Sequence, residues 1–191
     1  MEDSINYKGF TINIEHVEYA DNPRREWDNA TKMICFHRRY YLGDKHDVDF
    51  NDYNSFEELK RAIVKKYNPI IIKTLYLYDH SGITISTSSF NDRWDSGCVG
   101  FVVFTREEVL SNFNVKRITK TIREKAEKLL DAEVEIYDNY LTGAVYCYTI
   151  TNAEGEEIDS CSGYYGYDHE KNGLLDTARD IIDCKLEKEK V

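Results

Sequence analysis

70-IIIKTLYLYDHSGITISTSSFNDRWDSGCVGFVVFT-105 is the stretch on which the fold turns. Ile70–Asp79 is rich in β-branched and aromatic residues and predicts a strand. His80-Ser81-Gly82 then supplies a tight turn, since Gly tolerates positive φ. Ile83, Ile85 and Thr87 alternate with Thr84 and Ser86, predicting a second strand over Ile83–Ser88. Cys98–Phe104 is almost wholly apolar and predicts a third strand, lying in the middle of its sheet. Between strands two and three sits a polar loop, Ser89–Gly97. A sheet presenting such a loop is a usual place for function, because rigid strands fix the loop's ends.

The 191 residues suit a single α+β domain spanning 1–191. An apolar fraction of 41% and an aromatic fraction of 13% can furnish a core. The net charge is −10, and residues 151–191 carry 11 acidic against five basic residues. Proteins held to nucleic acid by electrostatics alone are basic, so this balance argues against direct nucleic-acid binding and for a partner with a basic surface. Cys35, Cys98, Cys147, Cys161 and Cys184 are odd in number, widely spaced and without a C-x-x-C pair. They read as small buried thiols in a reducing compartment. No secretory pattern precedes Tyr7 and no apolar run is long enough to span a bilayer, so a cytoplasmic protein without membrane association is expected.

Elsewhere the pattern is legible in pieces. Phe10, Ile12 and Ile14 alternate with Thr11, Asn13 and Glu15, predicting one strand over 7–17. Thr31–His37 predicts another, running into His37-Arg-Arg-Tyr-Tyr-Leu-Gly-Asp-Lys-His46. Ser55–Glu58 and Thr105–Glu108 are capping boxes that open helices, the first stopping before Pro69. Ile118, Ile122, Ala126, Leu130, Val134, Tyr137 and Leu141 form the apolar stripe of a long helix over Lys116–Leu141, ended by Gly143. A hairpin, Ala144–Thr151 with Glu156–Ser162, precedes a last helix with Leu174, Ala178, Ile181 and Ile182 facing inward. The expected architecture is a mostly antiparallel sheet, meander plus hairpins, with the long helix packed on one face.

Several clusters are candidates for chemistry. His37, Asp44 and His46 lie close enough in sequence to suggest metal ligands, yet their spacing fits no zinc pattern. Arg38 and Arg39 suit a carboxylate or phosphate, but on a strand they point to opposite faces. Asp79-His80-Ser81 resembles an acid–base–nucleophile trio, but adjacent residues cannot converge as a triad. Trp94, flanked by Asp92 and Asp95, is a candidate contact anchor, since Trp is enriched at binding hot spots. Of the 15 tyrosines, Tyr140, Tyr146, Tyr148 and Tyr165 join Arg39 and Asp44 as candidate contact residues. No P-loop, G-x-G-x-x-G, H-E-x-x-H or G-x-S-x-G is present, and neither metal nor cofactor is expected.

The phrases CFHRRYYLGDKH, LYDHSGITISTSSF, WDSGCVGF, YDNYLTGAVY and DSCSGYYG resemble an uncharacterised family of small proteins from bacteriophages and mobile elements of Gram-positive bacteria. The resemblance covers roughly residues 20–175. It carries no catalytic residues; it implies a small accessory protein of a phage-like genome. Genes of that kind often encode inhibitors of host defence, including anti-CRISPR and antirestriction proteins. The expected function is therefore binding and inhibition of a host macromolecule, through the loops at 37–47 and 89–97 and the 137–167 region. The alternative is a small-molecule or nucleotide-binding protein, or hydrolase, built on His37, Arg39, His46, Asp92 and Asp95.

Overall fold

The computed structural model describes residues 3–188 and shows an α+β chain in two compact units. The outer unit comprises Met1–Asp21 and Thr142–Val191; the inserted unit is Asn22–Leu141.

In the outer unit, β1 (Asp3–Tyr7), β2 (Phe10–His16), β7 (Val145–Thr151) and β8 (Glu157–Tyr165) form an antiparallel sheet in that order. The alternating run Phe10–Glu15 is one strand, β2, as expected, and a further strand that the pattern did not show, β1, precedes it in a hairpin. Lys8 and Gly9 turn the chain at φ 50° and 87°, conformations that Gly adopts freely, and Gly9 was the available signal. Helix α5 (Leu174–Lys188) covers one face. Phe10, Ile12, Ile14, Tyr146, Tyr148 and Ile150 pack there against Leu174, Leu175, Ala178 and Ile182. Ile181, expected inward, is exposed.

In the inserted unit, a short helix α1 (Pro23–Glu26) leads to β3 (Lys32–Cys35), then α2 (Phe56–Tyr67), β4 (Pro69–Asp79), β5 (Ile83–Ser86) and β6 (Ser96–Thr105). Helices α3 (Arg106–Asn112) and α4 (Lys120–Leu141) complete it. The antiparallel order is β3-β6-β4-β5. The third strand therefore pairs with the first and not with the second, as a simple meander would require. It does lie inside the sheet, and Phe101–Phe104 is buried on both faces. One face packs on α4 through Ala126, Leu130, Val134 and Tyr137; the other packs on α2 through Leu59 and Ile63. The Thr105–Glu108 box closes fully. At Ser55, by contrast, Glu58 turns to the backbone and side-chain amides of Asn54.

All five cysteines are free thiols. Cys35 is buried, and burial pushes its thiol up to about 12. Cys161 and Cys184 are exposed, which corrects the expectation that they are buried: the β8 edge and the outer side of α5 carry them. No helix among the described residues is long and apolar enough to cross a membrane.

Gly100 marks the closest approach in the inserted sheet. A Cβ there would lie 2.0 Å from the Ile34 carbonyl oxygen and 2.9 Å from the Cys35 Cα, both backbone atoms that cannot step aside. Gly97, three residues earlier, has open space around it. Gly100→Ala is expected to cost about 3 kcal/mol or more in denaturant unfolding, whereas Gly97→Ala stays within about 1 kcal/mol of the parent. Equal, small effects would contradict the register of β3 on β6.

Candidate functional site

At one end of the inserted sheet, where β3 stops and β4 and β6 meet their loops, an open groove of about 1360 Å³ runs between two segments of chain. One wall is the 36–51 loop and the other is built from Asp79 and 94–99; Leu77, Val99 and Cys35 lie at the base. The two loops singled out from the sequence, 37–47 and 89–97, are therefore brought together.

The first wall is fixed by a buried cation. Arg24, with a fully buried side chain, bonds Asp44 through Nε at 2.9 Å and Nη2 at 2.5 Å, Glu133 through Nη1 at 3.0 Å, and the Thr31 carbonyl at 2.7 Å. Glu133 also accepts the amides of Ala30 and Thr31 and the Thr31 hydroxyl. Asp44 accepts the Met33 amide at 2.8 Å. Next to it, Gly43 (φ 64°) donates its amide to the Tyr137 hydroxyl at 2.9 Å and forms a bridge with Ile34. A Cβ at Gly43 would meet the Met33 carbonyl oxygen at 2.7 Å, so only glycine fits this bend. Asp44, expected as a contact residue, is thus consumed inside the fold.

The tip of this loop is held by its own side chains. The His37 ring nitrogen Nδ1 accepts the amides of Arg39 and Tyr40, both at 3.3 Å, and the ring stacks on Tyr40 with centroids 4.9 Å apart. Arg39 and Arg38 lie beyond β3 in the loop, so strand alternation does not govern them. Arg39 ion-pairs with Asp79, which also receives the Tyr40 hydroxyl. His46 donates Nε2–H to the Cys35 carbonyl at 3.0 Å and packs on Phe36.

The second wall is held by an Asx turn. Asp92 accepts the amides of Trp94 (2.7 Å) and Asp95 (2.9 Å), and these bonds keep its carboxyl below the usual carboxylate range. The Ser96 hydroxyl closes on the Asp92 carbonyl. Asp95 meets His80 at 2.9 Å, and its carbonyl takes the Asp79 amide. Asp79, His80 and Ser81 therefore face three different tasks, and Ser81 serves the turn at φ 58°.

Trp94 itself is 95% exposed at this wall, and Tyr41 on the opposing loop is 96% exposed. Tyr41 is not singled out by sequence pattern because it stands next to Tyr40 in a polar loop where nothing distinguishes the two rings. The other tyrosine candidates lie elsewhere. Tyr146 and Tyr148 do share a face, as alternation requires, but it is the inner face under α5, so they are core. The Tyr148 hydroxyl donates to Asp159 at 2.7 Å. Tyr140 packs beside Tyr137 on α4, and Tyr165 donates to the Asp21 carbonyl at 2.7 Å.

Every member of the His37, Arg39, His46, Asp92, Asp95 set is thus engaged in loop geometry. No nucleophile sits against a base among them, and no group of three or more His, Cys, Asp or Glu among the described residues is placed to hold a metal ion. The arrangement is equipped for binding: two exposed aromatic rings, an apolar base and charged walls. Comparison with protein-family models, curated proteins and solved structures returns no match, so the functional reading rests on this geometry.

Two consequences are measurable. Arg24→Ala leaves Asp44 and Glu133 facing each other without their cation and is expected to destabilise the inserted unit by about 3–5 kcal/mol in denaturant titration. Second, burial holds the Tyr137 hydroxyl and the Cys35 thiol both up to about 12, from ordinary values of 10.0 and 9.0. A raised folded-state pKa favours the neutral form, so this stability is intact below about pH 9 and is lost as pH rises toward 12. Both tryptophans lie in the inserted unit, so their fluorescence reports on it. Tyr137→Phe should flatten the alkaline decline while costing about 1 kcal/mol at neutral pH for the lost acceptor.

Proposed function

We propose that the protein is a non-enzymatic binding protein, of the accessory type made by phages and mobile elements, that engages and blocks a host macromolecule. The observation that carries this is Trp94. Tryptophan is the residue most enriched at binding hot spots, and here a ring 95% exposed stands on a loop already ordered by Asp92 and Ser96. Binding then orders little that is not ordered already, which is how a compact anchor yields affinity. Tyr41 gives the other wall the same character.

Charge supports the choice of partner. The outer unit holds 16 acidic against six basic residues, a net of −10; the inserted unit holds 19 of each. The whole net charge of the chain therefore resides in one unit. Such a surface steers toward a basic protein face, such as one evolved to bind nucleic acid, and inhibition of a nucleic-acid-targeting defence system is the setting that fits.

Cross-linked capture from host lysate tests the proposal. Trp94→Ala should reduce capture of the specific partner by about 30-fold or more, the loss expected of a hot-spot tryptophan, with an unchanged melting temperature. Neutralising acidic residues of the outer unit should slow association and weaken its salt dependence. Undiminished capture by Trp94→Ala, or a sharp fall in its melting temperature, would sink this role for the side chain.

A further inference from the structure

The acidic balance of the chain argues against nucleic acid only if the charge is spread evenly, and it is not. With the inserted unit neutral overall, the character of its groove is decided locally. Of the five carboxylates that line it, Asp44 is paired with Arg24, Asp47 with Lys66 and Asp79 with Arg39; Asp95 is hydrogen-bonded to His80, and Asp49 caps the turn at Phe50 without an ion-pair partner among the described residues. Arg25, Arg38 and Lys45 also line the groove, and among the described residues none of the three has an ion-pair partner. Three cations without ion-pair partners thus outnumber the two carboxylates without a charged partner, Asp49 and Asp95, beside the two most exposed aromatic rings of the chain, Tyr41 and Trp94.

We propose that this groove binds a short single-stranded nucleic-acid segment, its phosphates held by Arg25, Arg38 and Lys45 and its bases stacked on Tyr41 and Trp94. The inference goes beyond the protein-partner reading and shares with it only that the groove is a site of engagement. Stacking on aromatic rings beside cations that track a backbone is the physical pattern of single-strand recognition, and it needs no base-specific hydrogen bonds. The groove is also larger than the roughly 300–1,000 Å³ of ordinary small-molecule pockets, and it is open, as an extended ligand requires.

An acidic peptide is the competing occupant, and the sheet speaks against it. Extended peptides gain most of their affinity by adding a strand to a free edge. Here the edge of β3 is already bridged: Ile34 pairs with Gly43, and the Met33 carbonyl accepts the Asp44 amide at 2.8 Å. On the far edge, Asp138 of α4 takes the Ile85 amide of β5 at 2.7 Å. The cations and rings remain available while this backbone does not.

Fluorescence anisotropy on the full chain, with labelled oligothymidylate of about 12 nucleotides as probe, tests the assignment. Saturable binding is expected, falling with salt at a log–log slope of about −2 for three phosphate contacts on a single strand. Arg25→Ala/Arg38→Ala/Lys45→Ala should bring that slope near zero. Tyr41→Ala and Trp94→Ala should each weaken binding by about tenfold while leaving the slope in place. All five side chains are exposed, and a melting curve for each variant confirms folding. Absence of binding by a folded protein that still captures a host protein through Trp94 overturns the nucleic-acid assignment and leaves the binding-protein reading standing. Poly-glutamate or heparin competing equally, with indifference to Tyr41→Ala and Trp94→Ala, overturns it as well, because a general polyanion site has no use for the rings. Oligonucleotide binding that depends on these five residues, without capture of any host protein, supports it and removes the protein-partner reading instead.

Discussion

The inserted unit depends on one buried guanidinium. Arg24 enters from a four-residue helix too short to hold itself, and its planar fork joins the carboxylates of the 40s loop and of α4 to a backbone carbonyl before β3. Removing a charge from water is expensive, and an ion pair offsets that cost only when the remaining donors and lone pairs are matched. Here they are matched. Three guanidinium nitrogens are used, and the two carboxylates collect three backbone amides besides. The geometry that satisfies all of them at once is narrow, so the network specifies where the 40s loop lies as well as stabilising it. Gly43 and Tyr137 then set the same bend from the other side.

Anchoring of this kind makes a loop that is polar, long and still ordered. Its anchors are buried and its tip is not: Arg38, Tyr41 and Lys45 point out from a segment whose Leu42, Gly43 and Asp44 are built in. The second wall reaches the same end with cheaper means, an Asx turn and a hydroxyl closing on a carbonyl. A binding surface prepared this way loses little conformational freedom when a ligand arrives.

Much of the fold was legible because apolar period and capping chemistry are local. The Thr105 box, the helix stop before Pro69, the alternation of Phe10 to Ile14 and most of the stripe from Ile118 to Leu141 predict what is found, although the long helix begins at Lys120 and not at Lys116. Pairing was less legible. β6 lies against β4, and on the far side of β5 the Ile85 amide goes to Asp138 of α4, a partner that no pattern between Ile70 and Thr105 announces. The site divides in the same way. Trp94 and the Asp92 turn could be read from type and spacing. Arg24 could not, because an arginine among polar residues gives no sign that it will be buried against partners 20 and 109 positions away. Tyr146 and Tyr148 show the limit of alternation: it says that two side chains share a face, and only packing says that α5 covers it.

Composition averaged over the chain concealed a division that the topology makes plain. β2 and β7 are hydrogen-bonded neighbours, so the segments before and after the inserted unit belong to one sheet, and the 120 residues from Asn22 to Leu141 fold as a separate body with its own two-faced core. A net charge of −10 belongs to the first and none to the second. Over distances of several ångströms a surface responds to its near charges, and beyond about 8 Å physiological salt screens the rest. A strongly acidic chain can therefore carry a site whose local balance is cationic, provided that most of the acids in its walls are consumed internally. In this groove the ion pairs of Asp44, Asp47 and Asp79 do that for three of the five wall carboxylates, and Arg25, Arg38 and Lys45 outnumber the remaining two, Asp49 and Asp95.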